Sequence, residues 1–315
     1  MRLGFVLIVA LLGFAFTAGP APAADFPMQA KQVAPNVYAV ITPTRDFPNP
    51  KNRGWNSNSA FVVTGEGVIL FDTGSSAAIG HALKAEIRKV ADKPVRWVIN
   101  SHSHGDHWLG NAVFRETAKA IYASGPAKER IEANGDTWVT RFDRMTSGAT
   151  GKTKVVPPDT VVKGPTDLVL GGVKVTLFLS GNSHTPDDVI MWLPESKVLV
   201  SGDVVYSDRM PSTGESNMTN WMKTLDRLIA LGPAVVVPGH GKVADAARLK
   251  RLRDLLQAYW NAVEKEYKAG KLDYQMTPDV TAALGAYAAD FPGLEEKVKR
   301  DIQAVFLQVE DANFR

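Results

Sequence analysis

Three histidines and an aspartate fall within six residues: His102, His104, Asp106 and His107, in the run Ser101-His102-Ser103-His104-Gly105-Asp106-His107. Imidazole nitrogens and carboxylate oxygens are good ligands for Zn²⁺ and other borderline cations. His102 and His104 are two apart, so in extended backbone they point to the same side. Asp106 and His107 are adjacent and diverge, which lets them reach a second cation beside the first. Three more candidate ligands lie far along the chain: His184 in Gly181-Asn182-Ser183-His184-Thr185-Pro186, Asp203 in Ser201-Gly202-Asp203, and His240 in Pro238-Gly239-His240-Gly241. The chain has six histidines, and five of them occupy these contexts. Only His81 is left over, on the expected surface of a helix.

The elements that position these residues can be read from hydrophobic patterning. Val95 to Asn100 is apolar and β-branched and predicts a buried strand leading into the motif, with a helix starting from Trp108. The motif therefore sits on a strand-to-helix loop, a place where a rigid scaffold presents reactive side chains. His184, Asp203 and His240 each follow an apolar run: Val173 to Leu179, Val198 to Val200, and Val235 to Val237. A strand at 37–41, a hairpin over 60–71, a helix over 77–90 and a strand at 120–123 complete the first half. A helix from Gly125-Pro126 through Ile131 follows. Hairpins over 167–178 and 189–201 and a helix over 217–231 build the second half. Residues 134–160 are polar and poorly patterned. They predict either an insertion over the cleft, lined by Trp138, Phe142 and Met145, or a surface excursion with its own small cluster. Residues 245–269 predict a long helix, and 277–310 two more segments broken at Asp290-Phe291-Pro292-Gly293. These form a helical cap over 246–315 on the domain spanning 24–245.

Taken together, His-x-His-x-Asp-His at 102–107, then His184, Asp203 and His240, with an Asp72-Thr73-Gly74 turn after the first hairpin, resembles the metallo-β-lactamase-fold hydrolases. The resemblance covers residues 35 to 245 and implies an α/β fold, the four-layer αβ/βα sandwich, here with the C-terminal helical extension. It implies that His102, His104 and His184 hold one zinc, that Asp106, His107 and His240 hold a second, and that Asp203 bridges both. A bridging aspartate is similar to the glyoxalase II and lactonase branches, whereas true β-lactamases of the family usually carry cysteine or serine near that place. The expected reaction is attack of a metal-held hydroxide on the carbonyl of an ester, thioester, lactone or β-lactam. Asp106 would orient or deprotonate the nucleophile. Asp72 would accept hydrogen bonds that steady the ligand loop. Tyr206 either donates to an oxyanion, as a tyrosine does in the lactonase branch, or packs. Phe47 and Trp55, on a Pro/Asn/Gly-rich loop beside the cleft, either touch substrate or pack within the loop. Two alternatives stay open: a mononuclear iron dioxygenase acting on persulfides, and a non-catalytic metal-binding module.

Composition narrows the partners. A net charge of +3, or +2 without Arg2, with no basic cluster interleaved with aromatics, points away from nucleic acid and toward a small-molecule substrate. Residues 1–23 read as a secretory signal peptide: Arg2, an apolar run from Leu3 to Phe16, and a small-residue site at Ala21-Pro22-Ala23. The apolar run is too short for a stable membrane anchor. The expectation is an exported protein, periplasmic or secreted, similar to the quinoprotein-relay zinc metallohydrolases of bacterial periplasms. The chain has no cysteine, so neither a disulfide nor a thiolate ligand is available.

Overall fold

Period-two alternation along the strands builds the layers. The computed structural model describes residues 26–314, so the expected leader lies outside the described residues. Seven strands, β1 (Ala30–Ala34), β2 (Val37–Val40), β3 (Ser59–Val63), β4 (Val68–Phe71), β5 (Val95–Ile99), β6 (Ala120–Ser124) and β7 (Thr160–Val162), form one sheet in chain order. It is antiparallel up to β4 and parallel from there on. Five more, β8 (Thr166–Leu170), β9 (Val173–Leu179), β10 (Val189–Leu193), β11 (Val198–Val200) and β12 (Val235–Val237), form the second sheet, in which only β11 and β12 run parallel.

On β4, Ile69 and Phe71 face the second sheet, while Val68 and Leu70 face α1 (Ala77–Val90). On β10, Val189, Met191 and Leu193 face the first sheet, while Ile190 and Trp192 face the helices behind. Both faces of both sheets are therefore covered, which is why the central strands are apolar without a break. The outer helical layer of the second sheet is α5 (Met218–Ala230), α6 (Ala246–Lys268), α7 (Asp273–Ala283) and α8 (Leu294–Phe314), packed into one core with Ile190, Leu199 and Val236. Helix, sheet, sheet, helix is the expected four-layer sandwich, and the C-terminal helices share its core. Among the described residues no helix is long and apolar enough to cross a membrane.

Four expectations need correcting. No helix starts from Trp108: a single turn over Gly105–Trp108 begins inside the motif, carries Asp106 and His107, and ends there, and a second turn covers Asn111–Phe114. The helix at Gly125 does not stop near Ile131: α4 runs Gly125–Met145. Ile131, Gly135, Trp138, Phe142 and Met145 recur every three or four residues along one face, and the polar residues between them belong to the other face. Gly135 hides the pattern because the helix needs no side chain there; a Cβ would stand 2.6 Å from Val155 Cγ1. Strand β7, which the patterning does not predict, starts at the last residue of the 134–160 stretch and closes the edge of the first sheet. α7 starts at Asp273, so Pro278 lies inside a helix rather than near its start.

Candidate metal centre

The ligand loops lie together at one rim. β5 ends at Ile99 and hands the chain to Ser101–His104, before the single turns of α2 (Gly105–Trp108) and α3 (Asn111–Phe114). His184 follows β9, Asp203 follows β11 and His240 follows β12. His102, His104, His184 and Asp203 converge as one group, and Asp106, His107 and His240 as a second; within each, the ligand atoms lie within 4.8 Å of one another. Asp203 reaches both: its Oδ2 is 3.5 Å from His184 Nε2 and 3.2 Å from His240 Nε2, and its Oδ1 is 3.3 Å from His107 Nε2. Close backbone approach makes this possible. A Cβ on Gly239 would meet Asp203 Oδ1 at 2.0 Å.

Each histidine has its outward nitrogen committed. His102 Nδ1 donates to Ser101 Oγ at 2.9 Å, because that hydroxyl's own proton goes to Asp72 Oδ2 at 2.8 Å. His107 Nδ1 donates to Asp72 Oδ2 at 2.8 Å, His240 Nδ1 to the Asn56 carbonyl at 2.7 Å, and His184 Nδ1 to the Ser212 carbonyl at 3.2 Å. His104 is turned round: its Nε2 donates to Glu215 Oε1 at 3.2 Å, leaving Nδ1 inward. Five nitrogens thus face one another, His102 Nε2 and His104 Nδ1 at only 3.0 Å. Lone pairs do not hold that distance without a shared positive charge. His107 Nε2 and Asp203 Oδ1 are buried and find no hydrogen-bond partner. The donor set and the orphaned atoms fit divalent cations.

Electrostatics agree. Burial opposes charge on His107, yet Asp203, Asp106 and Asp72 around it push its pKa up to about 10. A proton there is the smallest substitute for the positive charge that the carboxylates demand. Burial alone would raise Asp203, but His240 and His107 hold it well below the ordinary carboxylate range. Burial drives His184 down to about 3 and His102 well below its usual value, so both remain neutral ligands.

Asp72 sits where expected. It directly follows β4 and accepts from Ser101 N at 2.7 Å, Ser101 Oγ and His107 Nδ1. Phe47 lies on the cleft rim, 41% exposed. Trp55 does not reach the cleft. The chain turns at Arg53 and Gly54, both at positive φ, and folds Trp55 inward, edge-on to Phe26 in the core under α1. Tyr206 lines the cleft, but its hydroxyl donates to Asp203 Oδ2 at 2.5 Å and its ring stacks on His240. Its O–H is spent on a ligand carboxylate, not free for an oxyanion.

Several residues at the site escape a reading of the sequence. Asn56 Nδ2 donates to Asp106 Oδ2 at 2.8 Å, and Ser57 Oγ to the Asp106 carbonyl at 2.5 Å. Asp187 accepts from Ser103 N and Oγ, and Arg130 on α4 pairs with both Asp187 and Glu215. The polar triplet Asn56-Ser57-Asn58 directly before a buried strand is the one signal that marks any of them. Arg209, Arg300 and Asp301 line the cleft as well, the last two from α8, a helix with no recognisable motif.

The sequence model of the Metallo-beta-lactamase superfamily matches residues 52–240. That span takes in every candidate ligand. The chain belongs to the metallo-beta-lactamase superfamily. Among relatives, the linear primary-alkylsulfatase of Pseudomonas sp. is 28% identical over 228 residues, a match that covers 59% of this chain but only 43% of that protein. Metallo-beta-lactamase IND-1 of Chryseobacterium indologenes is 26% identical over 207 residues, covering 64% of this chain and 79% of that one. A metallo-beta-lactamase from Pontibacter korlensis shares the fold at a TM-score of 0.60 and 23% identity, over 73% of this chain and 99% of that one. The C-terminal helices lie beyond the matched span.

Proposed function

We propose that this member of the superfamily is an exported hydrolase carrying two zinc ions, attacking the carbonyl of an ester, thioester, lactone or β-lactam. The observation that carries this reading is the convergence of five committed histidines and two carboxylates on two adjoining points joined by Asp203. His102, His104 and His184 would hold one ion and Asp106, His107 and His240 the other. Such a pair lowers the pKa of bound water and polarises a carbonyl oxygen. Asn56 fixes Asp106 Oδ2, the oxygen 3.6 Å from His107 Nε2 and 3.5 Å from His240 Nε2, and the carboxylate lines the cleft, where it would orient the attacking water and take its proton. Tyr206 and Gly239 set the position of Asp203. The cleft is about 460 Å³, the size of a small-molecule site, and Trp138, Phe142 and Met145 make its wall apolar. The alkylsulfatase relative adds sulfate esters to the substrate classes worth trying.

Metal content and activity test the reading together. Zinc-loaded protein is expected to carry two ions per chain by mass spectrometry and to hydrolyse at least one of nitrocefin, an acyl-homoserine lactone, a thioester or a nitrophenyl ester; turnover of an alkyl sulfate alone would replace the carbonyl substrates with sulfate esters. Asp106→Ala should lower that rate by roughly 10²-fold or more. Equal inactivity of both proteins on every substrate, at full zinc loading, would refute it. A single iron with oxygen uptake would select the dioxygenase reading instead.

A further inference from the structure

Three cations gather around the Phe47 ring: Lys297 Nζ is 4.3 Å from its centroid, and the guanidinium carbons of Arg300 and Arg209 are 5.3 and 5.6 Å away. Two of them are almost fully enclosed, Arg209 at 5% exposure and Lys297 at 7%. Burying like charges together is costly unless something of opposite charge joins them. The carboxylate in contact with the cluster is Asp301, and Arg300 already occupies both of its oxygens, at 2.6 and 2.7 Å; Asp203 acts on Lys297 and Glu296 on Arg300 without a hydrogen bond to either. Lys297 and Arg300 share a single hydroxyl, Ser212 Oγ, each at 3.0 Å. Arg209 is worse served. Its Nη1 stands 3.1 Å from His240 Nδ1, a nitrogen that is itself donating to Asn56, and its Nε finds no hydrogen-bond partner. Burial, with Arg209 and Arg300 nearby, pulls Lys297 down to about 7, a measure of how strongly the cluster resists its own charge.

The cluster opens onto the candidate active site. Arg209 and Arg300 line the same cleft as His104, Asp106, His184 and His240. Ser212 joins the two regions, since its carbonyl holds His184 while its hydroxyl holds Lys297 and Arg300. The geometry points to an oxyanion subsite at the α8 end of the cleft, where Arg209 and Arg300, backed by Lys297, hold a carboxylate, sulfonate or similar group of the substrate away from the bond that is broken. This assignment rests on the hydrolase reading and narrows its substrates to acids. Phe47 would seat the apolar portion next to that group. Two guanidiniums suit a planar or tetrahedral oxyanion better than point charges do.

The test uses zinc-loaded full chain and two isosteric thiols, 4-mercaptobutyrate and its amide, with Kd read by titration calorimetry. The thiol is the same in both, so the ratio of their affinities isolates the charged group. The acid is expected to bind about tenfold tighter or more. Arg300→Gln and Arg209→Gln should each bring the ratio close to one, whereas Arg144→Gln, an exposed charge outside the cluster, should leave it unchanged. Thermal melts check that each variant is folded, and either arginine variant alone suffices. Equal binding of acid and amide to wild type, or a ratio that survives both arginine substitutions, would overturn the subsite. Sodium sulfate supplies an arm that does not depend on the metals. In chelator-treated protein, sulfate binding that needs Arg300 supports the subsite even if the hydrolase reading fails, and no such binding alongside an equal thiol ratio removes it. Sulfate binding as tight as the acid's would make a free inorganic anion the occupant and overturn the substrate assignment.

Discussion

Asp72 contributes nothing directly to the converging donor set, yet it holds three groups of the ligand loop at once. One oxygen takes the Ser101 amide; the other takes the Ser101 hydroxyl and His107 Nδ1. Ser101 in turn fixes the ring of His102, so a single carboxylate orients one histidine of each cation group. Its backbone sits at φ 59°, a left-handed conformation that aspartate tolerates better than most residues, and this turns the carboxylate back under the loop. Replacing it by alanine removes the acceptor and leaves three donors unserved in a fully buried place. Asp72→Ala is therefore expected to weaken zinc binding by roughly 10–100-fold while all seven candidate ligands remain. Competition against a chromogenic chelator measures this. Wild-type affinity in the variant would show that the ligand loop is held by other contacts.

The outer helices bring the cleft its charge and its walls, and they are the elements that sequence patterning serves least. α1 is legible to the residue because Ser76 caps it and Ile79, Leu83 and Ile87 keep strict spacing. The ligand motif is legible because metal chemistry fixes residue types at fixed intervals. α4 is not, because its packing against Val155 demands a glycine in the middle of the helix and its exposed face is polar. The cations of α8 are invisible for a different reason: Lys297 and Arg300 are ordinary residues for a surface helix, and only the fold brings Arg209 and Phe47 against them. The same long-range closure explains Asn56 and Asp187, each of which steadies a ligand loop distant in sequence. The charge on α8 has a measurable consequence. The pKa of Lys297 lies near 7 in the folded protein, below its unfolded value of about 10.4, so the unfolded chain holds more protons between those two values and stability rises with pH across that window. Below pH 7 the full cost of the buried charge is present. Lys297→Met should accordingly be more stable than wild type at pH 6, by about 1–3 kcal/mol, and the difference should shrink as pH climbs toward 10. Denaturant melts at pH 6, 8 and 10 follow it. A gap of constant size, or wild type ahead at pH 6, would mean that the cluster is already neutralised.

Across the whole molecule, the centre is a joint between two sheets. His102, His104, Asp106 and His107 hang from the rim of the first sheet, and His184, Asp203 and His240 from the rim of the second. Between the sheets lies a dry core of valine, leucine and isoleucine, which holds the layers together without fixing how the rims meet. Cations bound at the rim would fix it, because each would draw ligands from both sides. Without them, two carboxylates and five inward nitrogens are left in a buried space, relieved in part by the proton that His107 retains. The chain has no disulfide to take over the task. Chelation should therefore lower the melting temperature, on the order of 10 °C if zinc stands a thousandfold above its Kd, and added zinc should restore it. Hydrogen exchange should show where the strength was lost. Protection is expected to fall most in 101–108, 181–188, 201–207 and 238–241, whereas α6, α7 and α8, which pack on one another through Leu252, Leu256, Val298 and Ile302, should lose less, although Val204, Val205 and Tyr206 belong to the same core. Unchanged melting and unchanged exchange under chelation would mean that the dry core alone sets the rims, and that the seven side chains are already at ease as they stand.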